Sequence, residues 1–156
     1  MKRRLYILSF SLGLLVVTLA TVRLASATLG ESADSATTDR KALSAVRSTT
    51  KVATGYTVQV IESDSITIRE YISPNDIVFA VAWTGLINPD LTQLLGSYAD
   101  EYHQAVKKIP RKPGRRFNQV KTSRLVVEKW GHMRNLQGRA FVPNLIPPGV
   151  SVDDIK

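Results

Sequence analysis

The run Ile77-Val78-Phe79-Ala80-Val81-Ala82-Trp83 restricts the fold more than any other stretch of the chain. It is apolar throughout and shows no alternation, so neither of its faces can be left to water. This predicts an interior strand at the centre of a sheet, with structure packed against each side. Two similar runs precede it, Tyr56–Ile61 and Ile66–Ile72, broken by Ser63-Asp64-Ser65 and by Ser73-Pro74-Asn75-Asp76. The first alternates, with Tyr56, Val58 and Val60 on one face and Thr57 and Gln59 on the other, the period of a half-buried strand. Connections this short force antiparallel pairing, because a parallel return needs a crossover of about a dozen residues.

A helix signal follows at Asn88-Pro89-Asp90, with a capping side chain, a proline for the first turn and an early acid. Leu91, Leu94, Leu95, Tyr98, Tyr102, Ala105 and Val106 then recur at three- and four-residue steps and form one apolar stripe. Lys107 and Lys108 suit the negative end of that helix, and Pro110 and Pro113 stop it. Gly96 lies off the stripe, and the sequence gives it no purpose. Leu125–Trp130 reads as a fourth strand and Met133–Val142 as a fifth, with Gly138 marking a bulge or a close backbone approach. The predicted domain, residues 56–142, is α+β: a mostly antiparallel five-stranded sheet in the order β-β-β-α-β-β with one long amphipathic helix packed on it. Residues 28–55 read as a polar lead-in with a short helix at Arg40–Arg47, and residues 143–156 as an extended tail.

The chain opens with Lys2-Arg3-Arg4, continues through a largely apolar run to Val22 and reaches Arg23-Leu24-Ala25-Ser26-Ala27. A basic head, an apolar middle and a small-x-small ending at Ala25 and Ala27 compose a secretory leader, residues 1–27, cut after Ala27. The competing reading is a retained membrane anchor. The expected destination is the periplasm or the exterior. Removing the leader, with its four bases and no acid, lowers the formal charge from +8 to +4. The chain has no cysteine, which excludes thiol catalysis and disulfide staples and leaves stability to packing.

Val78–Trp83, Leu94-Leu95-Gly96-Ser97-Tyr98, Gly131-His132-Met133-Arg134, Gly138-Arg139-Ala140 and Pro148-Gly149-Val150 occur in an order that resembles exported bacterial proteins catalogued as domain of unknown function 2844. The likeness spans nearly all of the chain after the leader. It implies a bacterial, signal-bearing, one-domain protein and transfers no catalytic role to any residue.

Lys107, Lys108, Arg111, Lys112, Arg115 and Arg116 fall within ten residues, and two prolines and a glycine keep them from folding away. This basic loop is the first candidate binding surface, suited to phosphate, carboxylate or lipid head groups. The bland reading is a solvated charge run. Nucleic acid is disfavoured, since no recognition motif accompanies the charges and Phe117 is the sole nearby aromatic. The two histidines supply the alternative: His103 with Asp100 and Glu101 on the helix, and His132 at a turn, as an acid–base pair or metal centre of a small hydrolase. Their spacing matches no dedicated signature, and no cofactor-binding motif is present. Trp83, Trp130, Tyr71 and Phe141 are expected in the core or capping its ends, with a ligand groove between sheet and helix left open. The leading expectation is therefore a non-enzymatic exported module that binds an anionic envelope component or partner protein through the basic loop.

Overall fold

The structure is a computed structural model, and it describes residues 28–32, 47–110 and 117–156. Among the described residues, seven strands, all antiparallel, form one sheet: β1 (Arg47–Ala53), β2 (Tyr56–Glu62), β3 (Ile66–Ile72), β4 (Val78–Gly85), β5 (Phe117–Lys121), β6 (Val126–His132) and β7 (Asn135–Phe141). Their spatial order is β1-β2-β3-β4-β7-β6-β5. The apolar run thus becomes β4, the fourth of seven ribbons, and every residue from Val78 to Trp83 is buried.

The five-strand expectation is corrected to seven. The two added strands are the sheet's edges, and their sequences hide them. β1, Arg-Ser-Thr-Thr-Lys-Val-Ala, pairs with β2 along its whole length, yet Lys51 and Val52 are exposed. β5 buries only Val120 of its five residues. An edge strand bonded on one side and exposed along most of its length has little need of apolar alternation, so pattern reading passes over it. The short helix expected at Arg40–Arg47 lies outside the described residues apart from Arg47, which opens β1. The expected leader, residues 1–27 with Ala25 and Ala27, lies outside them too.

The helix is corrected as well. It is two pieces, α1 (Leu91–Leu95) and α2 (Ala99–Lys108), joined by a 3-10 turn at Gly96–Tyr98. Asp90, and not Asn88, caps α1 by accepting from the Thr92 N–H at 2.9 Å. Gly96 has φ +48, and a Cβ there would stand 2.6 Å from Thr28 Cβ. Only glycine combines that backbone with so close an approach. The residues ahead of the sheet are tied down at this point: Leu29 N–H donates to the Leu94 carbonyl at 3.1 Å and Gly30 N–H to the Val78 carbonyl at 2.8 Å. Leu29 is fully buried.

Two layers therefore cover the sheet. On one face α1, α2 and Leu29 pack on Ile61, Ile68, Val81, Trp83 and Val127. On the other, residues 143–156 lie across Tyr71, Phe79, Ala82, Val126 and Phe141, with Ile155 fully buried among them. Both faces of β4 are dry for this reason, and burying Phe79 alone is worth about 2–3 kcal/mol.

Candidate functional site

The pairing register assigns each connection to one of two ends of the sheet. Ile66 pairs with Gly85, Gly85 with Leu136, His132 with Asn135 and Phe117 with Trp130. The β2–β3 turn, the segment leaving β4, the β6–β7 hairpin and the start of β5 consequently share one end. α1 leaves from this end and runs to Leu94, beside Leu29, whose neighbour Gly30 bonds the Val78 carbonyl at the opposite end. There Arg124 lies over the Tyr98 ring, 5.2 Å from its centroid, and bonds Glu101 at 2.6 Å. α2 then returns, because the Thr92 hydroxyl on α1 is 3.2 Å from His103 Nε2. Lys107 and Lys108, both exposed in the last turn of α2, point the chain back towards the first end. Arg111, Lys112, Arg115 and Arg116 lie outside the described residues, between Pro110 and Phe117.

The remaining candidates are held by separate local partners. His103 bonds Thr92, and its ring meets Tyr102 edge-on with centroids 5.5 Å apart. His132 Nδ1 bonds the Met133 carbonyl at 3.0 Å within its own hairpin. Glu101 is engaged by Thr122 and Arg124, whose hydrogen bonds hold its carboxyl below the usual range. Asp100 is exposed. Among the described residues no three His, Asp or Glu side chains gather as a metal site would require.

The structure places a cleft elsewhere, on the tail side of the sheet rather than between sheet and helix. The cleft has a volume of ≈ 320 Å³, with Trp130, Gln137, Arg139, Asp153 and Ile155 among its lining. Its walls are fixed by a chain of bonds. Gln119 Nε2 and Arg139 Nε each donate to Glu128 at 2.7 Å, while Arg139 Nη1 donates to the Val152 and Ile155 carbonyls at 2.7 and 3.2 Å. The Trp130 N–H donates to Gln137 Oε1 at 3.0 Å, and Gln137 donates to Asn135 at 2.9 Å. Of the four expected core aromatics, Trp83, Tyr71 and Phe141 are buried, and Trp130 is half-buried at this cleft. Glu128 and Arg139 face each other across β6 and β7, a pairing invisible until the register is known. Glu70, 2 % exposed opposite the buried Gln59, was also missed; the available signal was its phase with Ile68 and Ile72 on β3. Both residues are engaged in interactions.

A family model described as a protein of unknown function, DUF2844, matches residues 25–155. The chain belongs to the DUF2844 family. The match takes in every described element of the DUF2844 fold, from Thr28 through the tail to Ile155. No curated protein and no solved structure matches the chain. The family description assigns no reaction, so the chemistry of a DUF2844 chain has to be argued from surfaces such as these.

Proposed function

We propose that this DUF2844 chain is a non-enzymatic exported binding module, and that Lys107, Lys108, Arg111, Lys112, Arg115 and Arg116 form its contact surface for an anionic component of the cell envelope or an acidic partner protein. The observation that carries the reading is the exposure of Lys107 and Lys108 at the close of α2, where the chain leaves the packed body and enters the remaining basic residues. Cations at a helix C-terminus are held favourably by its dipole and remain available to a ligand. A positive surface of this kind raises the encounter rate with anions and makes binding salt-sensitive. The leader, with a cut after Ala27, would place the module outside the cytoplasm. No particular contact favours a hydrolase built on His103 and His132, since each ring is committed to a neighbour.

The test is charge reversal at Arg111→Glu, Lys112→Glu, Arg115→Glu and Arg116→Glu. Binding to dextran sulfate, a poly-glutamate column and phosphatidylglycerol vesicles is measured at low and high salt. The reading expects salt-sensitive binding to at least one of these, lost in the reversed variant with an unchanged melting temperature. Binding to none, or binding indifferent to the reversal, rejects it.

A further inference from the structure

Among the described residues, the exposed large apolar side chains are not scattered. Leu86 and Ile87, 54 % and 53 % exposed, stand on the segment leaving β4; Met133, 89 % exposed, tips the β6–β7 hairpin; Phe117, 49 % exposed, opens β5. The register sets all four at one end of the sheet, on the neighbouring strands β4, β7, β6 and β5, which span about 15 Å at the usual strand spacing. Val106 and Ile109, both 40 % exposed, arrive at the same end with the close of α2. Val52, at the opposite end, is the single exception. Cations border the group: Lys107 and Lys108 on α2, and Arg134 beside Met133, all exposed. The acids at this end are Asp90, which caps α1, and Glu62 and Asp64 by the β2–β3 turn, where the Leu86 N–H donates to the Ser65 carbonyl at 2.8 Å.

Resting on the cationic-surface reading above, we infer that this end of the molecule docks on an anionic lipid bilayer. Leu86, Ile87, Phe117 and Met133 enter the headgroup region while Lys107, Lys108 and Arg134 meet lipid phosphates. Single apolar side chains carried on separate loop tips suit a soft interface that admits each one independently, and cations among them gain from the negative surface. A protein interface of comparable strength packs its apolar area into one continuous core, whereas these side chains stand on separate loop tips. The docking is peripheral in geometry, since no helix of the described residues is long and apolar enough to cross a membrane.

The chain carries its own reporter. Its two tryptophans are Trp83, 1 % exposed in the core, and Trp130, half-buried and paired with Phe117 near the docking end. The full chain is mixed with phosphatidylcholine vesicles, with and without phosphatidylglycerol, whose acyl chains are brominated to quench tryptophan. The expected result is quenching by the phosphatidylglycerol vesicles that disappears in Trp130→Phe. A combined Leu86→Ser, Ile87→Ser, Phe117→Ser and Met133→Ser variant should bind these vesicles at least about tenfold more weakly. It should keep its melting temperature and its binding to dextran sulfate. Absence of quenching, or quenching unchanged in the serine variant, overturns the inference. Dextran sulfate binding without vesicle quenching removes the bilayer and leaves the cationic surface standing; loss of both removes the two together. Sedimentation showing a dimer that the serine variant dissociates would assign this end to a second copy of the chain and overturn the lipid assignment.

Discussion

The Thr92 hydroxyl lies 3.2 Å from His103 Nε2, although eleven residues separate them. In one continuous helix they would stand about 16 Å apart along the axis. Their contact requires the chain to reverse between them, and the reversal falls at Gly96. It explains why α1 and α2 cover the sheet side by side and why the basic end of α2 returns towards the tip of β4.

Gly96→Ala should destabilise the fold by about 1–3 kcal/mol, since it sets a side chain at φ +48 and presses it into Thr28. Urea unfolding measures the loss. Thr28→Gly in the same chain should restore part of it by removing the collision while leaving the backbone strain.

Gly138→Ala tests a collision without that strain. Its Cβ would stand 2.3 Å from Cζ2 of Trp83, the residue with which Gly138 pairs on β4, and 2.7 Å from the Glu128 carbonyl oxygen on β6. Overpacking of this kind costs about 1–3 kcal/mol, and near-ultraviolet circular dichroism should report a displaced indole. An unaltered melting curve would mean that both the ring and the β6 backbone have room to retreat.

Arg139→Ala should loosen the tail rather than the sheet. The guanidinium joins Glu128 to the Val152 and Ile155 carbonyls, and its removal leaves a buried carboxylate to Gln119 alone. A cost of about 2 kcal/mol is expected for losing a charged hydrogen-bonding partner. The Arg139→Ala/Glu128→Gln pair should cost less than the sum of its parts in a double-mutant cycle. Faster amide exchange and proteolysis should be confined to residues 150–156.

Two groups give the pH dependence. Burial pushes the Tyr71 phenol above its ordinary value, partly offset by its bond to the Lys156 backbone. The stability it contributes is fully present below about pH 10 and is lost as pH rises through the folded value. Tyr71→Phe should remove that alkaline loss, with a baseline about 1 kcal/mol lower for the bonds to Lys156. Glu101 behaves in the opposite sense. Its carboxyl is depressed by Thr122 and Arg124, so its contribution is present above about pH 4.3 and fades as pH falls through the lower folded value. Glu101→Gln should flatten that acid limb by no more than about 1 kcal/mol, because the pair is near the surface. Urea midpoints across pH, with and without each substitution, measure both limbs.

Much of the sheet can be read from the chain because a buried strand must repeat its environment in its own residues. The run Ile77–Trp83 could only be a ribbon covered on both sides; the alternation of Tyr56–Ile61 marks a strand but not its cover, since Gln59, Val60 and Ile61 are all buried. The cluster Lys107 to Arg116 and its link to the end of a helix are likewise local, as is the resemblance to the DUF2844 family.

The edges, the reversal and the surface required tertiary structure. β1 and β5 are strands because β2 and β6 offer them hydrogen bonds, which leaves no imprint on their side chains. Gly96 breaks the helix because Thr28, 68 positions away, comes to rest against it. The pairing of Glu128 with Arg139 and the gathering of Leu86, Ile87, Phe117 and Met133 at one end depend on register. Register is a property of two strands together, and no single stretch of sequence carries it.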